Sequence, residues 1–277
     1  LDLAADLASL ALDRVLDERS ELAAHHLAGY TDAYRHDPRS ALAHLEAAER
    51  LAERLGDTWQ LASVRQARGV ALRSADDLDA AMVAFESAMH SFASAGDAMH
   101  VNNARYMMAA TAAERGHPTE AALVWVDQCA EYARSTGNRH ELAHAELTRA
   151  RLTPDEPPDL TDAVATFRRV GDFRCLVRSY LLQAEQRPAP ERAALYEQAL
   201  EVAESAGDQL HKERALEGLI AARWEAGERR RAAVALGRLV SLLGHGPAVA
   251  RCPEAMRSEL DDWTAAIAEG QARSVPS

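Results

Sequence analysis

The residues best suited to chemistry lie at 140–144, where the chain has the sequence His-Glu-Leu-Ala-His. Two histidines four residues apart share one helix face and can bind the same Zn²⁺, with the glutamate as general base. However, the segment that follows (AELTRARL) has no further histidine where zinc proteases carry their third ligand. Asn138 is also a natural helix N-cap, which makes Glu141 its capping-box partner. A zinc-dependent hydrolase at 140–144 is therefore kept as an alternative, and the primary prediction is a chain without catalytic residues, metal or cofactor.

The composition excludes several classes of function. With 43 acidic residues against 31 basic ones, the net charge of −12 repels phosphate, and we expect no nucleic-acid binding by this chain. No apolar stretch approaches 18 residues, so we expect no membrane span and a cytoplasmic location. Cys129, Cys175 and Cys252 lie far apart without metal-ligand spacing, which predicts buried, reduced thiols.

The chain starts without Met inside a helical pattern (Leu3, Leu7, Leu10 and Val15), which suggests a fragment of something longer.

A recurring turn pattern divides the sequence. Glycine followed by Asp, Asn or His occurs at 56–57, 96–97, 137–138, 171–172, 207–208 and 244–245, at intervals of 34 to 41 residues. Glycine adopts the left-handed conformation that ends one helix, and Asp or Asn caps the first N–H groups of the next. Each interval holds two amphipathic stretches rich in Ala and Leu, which are strong helix formers. The pattern predicts a series of helix hairpins.

The hairpins carry small residues at fixed positions. In the unit after Gly56-Asp57 the small residues are Gly69, Ala81 and Ala88, and the aromatic residue is Phe85. The preceding unit has Gly29, Ala41, Leu45 and Ala48 at these positions. The following unit has Ala109, Ala121 and Trp125. This pattern resembles tetratricopeptide (TPR) repeats, in which small residues let paired helices approach closely. The resemblance implies an all-α fold, an α-solenoid of antiparallel helix hairpins forming a TPR-like superhelix.

The resemblance also implies a domain organisation. We expect a leading helix of a truncated repeat at 1–21, a repeat array at 22–244, and a capping helix and tail at 245–277. The units of the array are predicted at 22–56, 57–96, 97–137, 138–171, 172–207 and 208–244. Such extended units are similar to the TPR arrays of large actinobacterial transcriptional regulators and signalling ATPases, which serve there as sensor or docking domains.

In TPR proteins the first helices of the units line a concave groove, at positions six and three residues before the small residue and one, four and five after it. Carried onto Gly29, Gly69 and Ala109, this rule selects Ala23, His26, Tyr30, Ala33 and Tyr34; Ser63, Gln66, Val70, Arg73 and Ser74; and Asn103, Tyr106, Ala110, Ala113 and Glu114. In later units it suggests His144, Arg178, Arg214, Glu217 and Trp224. Tyrosine, amide and arginine side chains suit the recognition of a peptide.

The primary functional prediction is a non-catalytic domain that binds a protein or peptide segment in this groove, within a larger bacterial regulatory protein. A structural scaffold that associates with itself, for instance as a homodimer, is the alternative. It predicts exposed apolar surface on the convex face or on the end helices.

Overall fold

A computed structural model describes residues 2–12, 14, 17–35, 37–116 and 119–260. They form helices and turns, and no strand occurs within these ranges. The helices are α1 (Asp2–Leu12), α2 (Glu18–Tyr34), α3 (Pro38–Leu55), α4 (Thr58–Ser74), α5 (Leu78–Ser94), α6 (Ala98–Glu114), α7 (Glu120–Thr136), α8 (Arg139–Leu152), α9 (Thr161–Val170), α10 (Phe173–Glu185), α11 (Ala189–Ala206), α12 (Gln209–Glu225), α13 (Arg229–Leu243) and α14 (His245–Ala250). A further helical stretch covers 254–260, and the rest of the predicted capping segment lies outside the described residues.

The chain divides into two compact units, Leu1–Pro158 with α1–α8 and Asp159–Ser277 with α9–α14. Within each unit every helix packs against its neighbours in sequence, as expected of antiparallel hairpins joined by short turns. Alternate helices also touch, and α2, α4, α6 and α8 form such a row in the first unit. The predicted all-α solenoid of antiparallel helix hairpins is confirmed.

The predicted turns form, and all but the last combine a glycine that ends one helix with a side chain that caps the next. Gly56 has φ 63° and ends α3, and the Asp57 carboxylate then accepts a hydrogen bond of 3.0 Å from the backbone N–H of Gln60. The turns at 96–97, 137–138, 171–172 and 207–208 repeat this pairing of a left-handed glycine with a capping side chain. The turn at 244–245 differs, since Gly244 itself is the N-cap of α14 and makes no side-chain cap.

The predicted small residues lie where two helices approach closely. A Cβ atom built on Gly69 of α4 would lie 2.5 Å from Cε1 of Phe85 in α5, and one on Gly29 of α2 would lie 2.5 Å from Cγ of Leu45 in α3. Phe85 and Leu45 have no exposed surface. Glycine at these positions therefore lets a large apolar side chain fill the space between paired helices.

The three cysteines lie in the interior, as predicted. Burial raises the pKa of the Cys129 and Cys175 thiols to about 12, so both are protonated near neutral pH. Among the described helices, none combines the length and the apolar character needed to cross a membrane.

Candidate functional site

A cavity of about 380 Å³ opens on the row of alternate helices in the first unit. Its walls come from α2, α4 and α6: Ala23, His26, Leu27, Tyr30, Gln60, Ser63, Gln66, Ala67, Val70, Asn103 and Met107. This volume lies within the range of about 300–1,000 Å³ that is usual for ligand pockets. The fold therefore brings side chains from three successive hairpins to one concave site.

Many of the sequence-predicted groove residues line this cavity. They are Ala23, His26, Tyr30, Ser63, Gln66, Val70 and Asn103. Ala33 and Ala110, selected by the same rule, are 2% and 4% exposed and belong to the core instead. Their small side chains pack between helices, so they offer no surface to a partner.

The sequence rule missed one position in all three units. Leu27, Ala67 and Met107 line the cavity, and each lies two residues before the small residue of its helix. Residues four and seven positions apart lie on one helix face, so Ala23, Leu27 and Tyr30 form a single stripe. This helical spacing was the signal that could have identified the missing position.

An amide pair joins two walls of the cavity. Nε2 of Gln66 in α4 donates a hydrogen bond of 2.9 Å to Oδ1 of Asn103 in α6. Oε1 of Gln66 is buried and makes no hydrogen bond to any described residue. A buried acceptor of this kind costs about 1–3 kcal/mol until it finds a donor. The amide of Gln66 is thus only half satisfied at the cavity wall.

Tyr30 is the tyrosine of the α2 wall, and Tyr34 lies next to it outside the cavity lining. The hydroxyl of Tyr30 donates to that of Tyr34 at 3.3 Å, and the ring centroids are 4.8 Å apart. Tyr30 is 43% exposed, whereas Tyr34 packs against the core formed by α2 to α6. Burial, followed by the neighbouring Tyr34, raises the pKa of Tyr30, so its phenol stays neutral at physiological pH. Tyr30 offers a flat apolar face with a polar edge.

Next to the cavity lies a charged cluster. Arg73 contacts the sulfur of Met107 at 3.6 Å through Nη1 and lies 3.7 Å from the Glu114 carboxylate through Nε. Glu114 also lies 3.9 Å from Arg151. The predicted groove residues Arg73 and Glu114 are therefore paired with each other, and they border the cavity through Met107 rather than line it.

His140 and His144 of α8 form a hydrogen-bonded chain with Tyr106 of α6. His144 lies 3.4 Å from the Tyr106 hydroxyl through Nδ1 and 3.1 Å from His140 Nε2 through its own Nε2. The backbone N–H of Glu141 donates to the Asn138 side chain at 3.2 Å, which is the predicted N-cap. Oε2 of Glu141 is buried without a hydrogen bond to the described residues, and its charge acts on the buried Cys129 thiol. Tyr106 and His144, both predicted groove residues, thus contact one another.

Known proteins resemble this chain in structure rather than in sequence. No protein-family model matches it. No curated protein matches its sequence. Among solved structures, the apo form of the quorum sensor NprR from B. thuringiensis superposes with a TM-score of 0.55 at 11% identity, over 90% of this chain and 70% of that one. The chain has a TPR-like helical repeat fold.

Three predicted groove residues, Arg178, Arg214 and Trp224, lie in the second compact unit, Asp159–Ser277. Arg178 donates from Nε to Nε2 of the buried His211 at 3.3 Å, whereas Arg214 is exposed on α12. Trp224 is only 8% exposed and lies under the guanidinium of Arg229, which is 3.7 Å from the ring centroid. A covered indole of this kind gives a partner little surface to contact, which argues against Trp224 as a groove residue.

Proposed function

We propose that this chain is a non-catalytic domain that binds a protein or peptide segment, as the sensor or docking part of a larger cytoplasmic regulatory protein of bacteria. The segment lies along the inner face of α2, α4 and α6. The observation that carries the proposal is the cavity that these helices share, with Tyr30 on one wall and the Gln66–Asn103 pair across the other two.

The chemistry of these walls suits a peptide. A tyrosine face provides rigid contact area that loses little conformational entropy, and side-chain amides can hold the N–H and C=O groups of an extended backbone. Arg73 beside Met107 extends the surface toward α8 with a charged group. The described neighbour is named a quorum sensor, and a sensing role for this chain, in the manner of actinobacterial TPR regulators, is part of the proposal.

Peptide binding is tested with an array of overlapping peptides from the proteome of the source organism, followed by fluorescence anisotropy on the peptides retained. We expect Tyr30→Ala and Arg73→Ala to weaken binding about tenfold or more, because a central contact is worth at least about 1.4 kcal/mol. Tyr106→Ala is expected to weaken binding as well, since Tyr106 orients His144 next to the groove.

Val83→Ala on α5 is the matched control, because Val83 is 67% exposed and does not line the cavity. Circular dichroism verifies that each variant keeps its helices. Equal affinity of native protein, Tyr30→Ala, Tyr106→Ala and Arg73→Ala for the retained peptides would remove the site from α2, α4 and α6.

Self-association is the second candidate, and one observation favours it. Leu3, Leu7 and Leu10 of α1 are 72%, 52% and 49% exposed and lie on one face of the helix, since they are spaced four and three residues apart. Three exposed leucines on one face are typical of an interaction surface. A concentration-dependent dimer in sedimentation velocity that Leu7→Glu abolishes would support this function, whereas a monomer at all concentrations would contradict it.

A further inference from the structure

The cavity between α2, α4 and α6 has walls without formal charge. None of its lining residues within the described ranges is Asp, Glu, Lys or Arg, although such residues make up 27% of the chain. Arg73, which is paired with Glu114, borders the cavity through its contact with Met107. The titratable groups on the walls are His26 and Tyr30. Burial lowers the pKa of His26 and raises that of Tyr30, so both are neutral near pH 7.

The apolar part of the walls is arranged as one patch. Leu27 of α2 is 39% exposed and Met107 of α6 is half-buried, whereas Ala67 and Val70 of α4 line the cavity with only 3% and 5% of their surface exposed. Methionine is flexible and polarisable, so it can adapt to apolar groups of different shape. This patch is suited to a branched or linear aliphatic side chain.

The Gln66–Asn103 pair on the walls leaves one amide oxygen and one NH₂ group open. When the amides of Gln66 and Asn103 share one hydrogen bond, one carbonyl oxygen and one NH₂ group remain. The remaining Gln66 oxygen is the buried atom without a hydrogen bond to described residues. Reorientation of the Gln66 side chain would expose that oxygen to an N–H from a ligand inside the cavity. A peptide group supplies both the N–H and the C=O that this pair requires.

We propose that the cavity selects an uncharged, aliphatic side chain of a peptide together with the peptide group next to it. The inference rests on the proposed function and specifies its ligand class. Gln66 accepts the N–H of the bound residue, the Asn103 amide donates to its C=O, and the side chain lies on Leu27 and Met107.

Charged side chains are excluded by the same walls. A lysine entering the cavity meets no carboxylate, and a glutamate meets no cation, so either would be desolvated without a partner. The net charge of −12 further opposes an acidic ligand. Selectivity thus has two sources: contact with an aliphatic side chain, and the free-energy cost of burying a charged side chain without a partner.

The inference is tested with pools of acetylated and amidated hexapeptides in which the third residue is fixed as Leu, Lys or Glu. The other five positions are randomised among Ala, Ser, Gly and Asn, so that the fixed residue is the only variable charge. Affinity is measured by competition against a fluorescent member of the Leu pool. We expect the Leu pool to bind at least about tenfold more tightly than either charged pool, which corresponds to about one unit in log Kd.

A charge placed on the wall should change the preference. Ser63 lines the cavity and is half-buried, so Ser63→Glu supplies the missing partner for lysine and should raise the affinity of the Lys pool above that of the Leu pool. Ser87→Glu on α5 is the matched control, because Ser87 is equally half-buried but does not line the cavity. Its ranking of the three pools should remain that of the native chain.

The outcomes separate this inference from the function on which it rests. Equal binding of the Leu, Lys and Glu pools, or an unchanged ranking in Ser63→Glu, would overturn the selectivity and leave peptide binding intact. No binding of any pool, together with no peptide retained on the proteome array, would overturn both. Retention on the array of peptides that lack aliphatic residues would overturn the selectivity alone.

Discussion

Gln66 and Asn103 are 37 positions apart in the sequence and 2.9 Å apart in space, as donor and acceptor of one hydrogen bond between α4 and α6. One lies three residues before the small residue of its helix, and the other lies six residues before its own. The contact therefore joins positions that are not equivalent in the two helices. Both amides line the cavity, where the hydrogen bond holds them together.

The amide pair predicts a non-additive effect on binding. Gln66→Ala and Asn103→Ala should each weaken peptide binding by about 1–2 kcal/mol, and the double variant should lose less than the sum, because either change already disrupts the pair. The measurement is a double-mutant cycle by fluorescence anisotropy with one retained peptide. Strict additivity would contradict joint action of the two amides.

Gly69 predicts a large effect on stability from a single methyl group. Gly69→Ala would place Cβ 2.5 Å from the Phe85 ring, so it should reduce the free energy of unfolding by about 1–3 kcal/mol despite the better helix propensity of alanine. Gly237→Ala in α13 is the control, since nothing lies within 4 Å of its Cβ. It should be neutral or stabilise by up to about 1 kcal/mol. Urea unfolding measures both, and equal stability of the two variants would contradict the close packing of α4 on α5.

His211 predicts a dependence of stability on pH. It is 3% exposed, and burial lowers its pKa, against the opposing effect of the Asp208 carboxylate 2.7 Å away. The unfolded chain, with a histidine pKa of about 6.5, binds the proton more readily than the folded chain. Stability is therefore fully present above about pH 7 and falls as the pH is lowered through this range, by at most about 1.4 kcal/mol per pH unit for one proton.

Urea unfolding between pH 8 and pH 5 measures this dependence, and His211→Gln should make it shallower. Some slope should remain, because burial also lowers the pKa of His25 and His26. A steeper slope in the variant would contradict the assigned sign.

The His140–His144 pair allows a direct test of the alternative function. We expect no zinc-dependent peptidase activity, because the segment after His144 (AELTRARL) carries no third ligand in the arrangement that zinc proteases use. The assay measures cleavage of a quenched fluorescent peptide pool with and without added zinc. Zinc-dependent cleavage that is lost in both His144→Ala and Glu141→Gln would contradict the non-catalytic assignment.

Much of this protein was determined locally and could be inferred from the sequence. A left-handed glycine next to a capping carboxylate ends one helix and starts another through backbone conformation and nearby hydrogen bonds alone, as at Gly56-Asp57. Small residues at fixed helical positions likewise predicted where Phe85 and Leu45 pack. The hairpins follow from these local rules, whereas the cavity positions Tyr30, Gln66 and Asn103 were implied by the TPR resemblance.

Other features depended on how the helices stack. The stacking of α4 and α6 decides that Gln66 meets Asn103 and that Arg73 is paired with Glu114 beside the cavity. The burial of Trp224 beneath Arg229 likewise results from packing, which helix periodicity within one segment does not specify. Local sequence fixes which residues share a helix face, but the axial offset between packed helices is set by side chains far apart in the chain, and only the tertiary structure decided it.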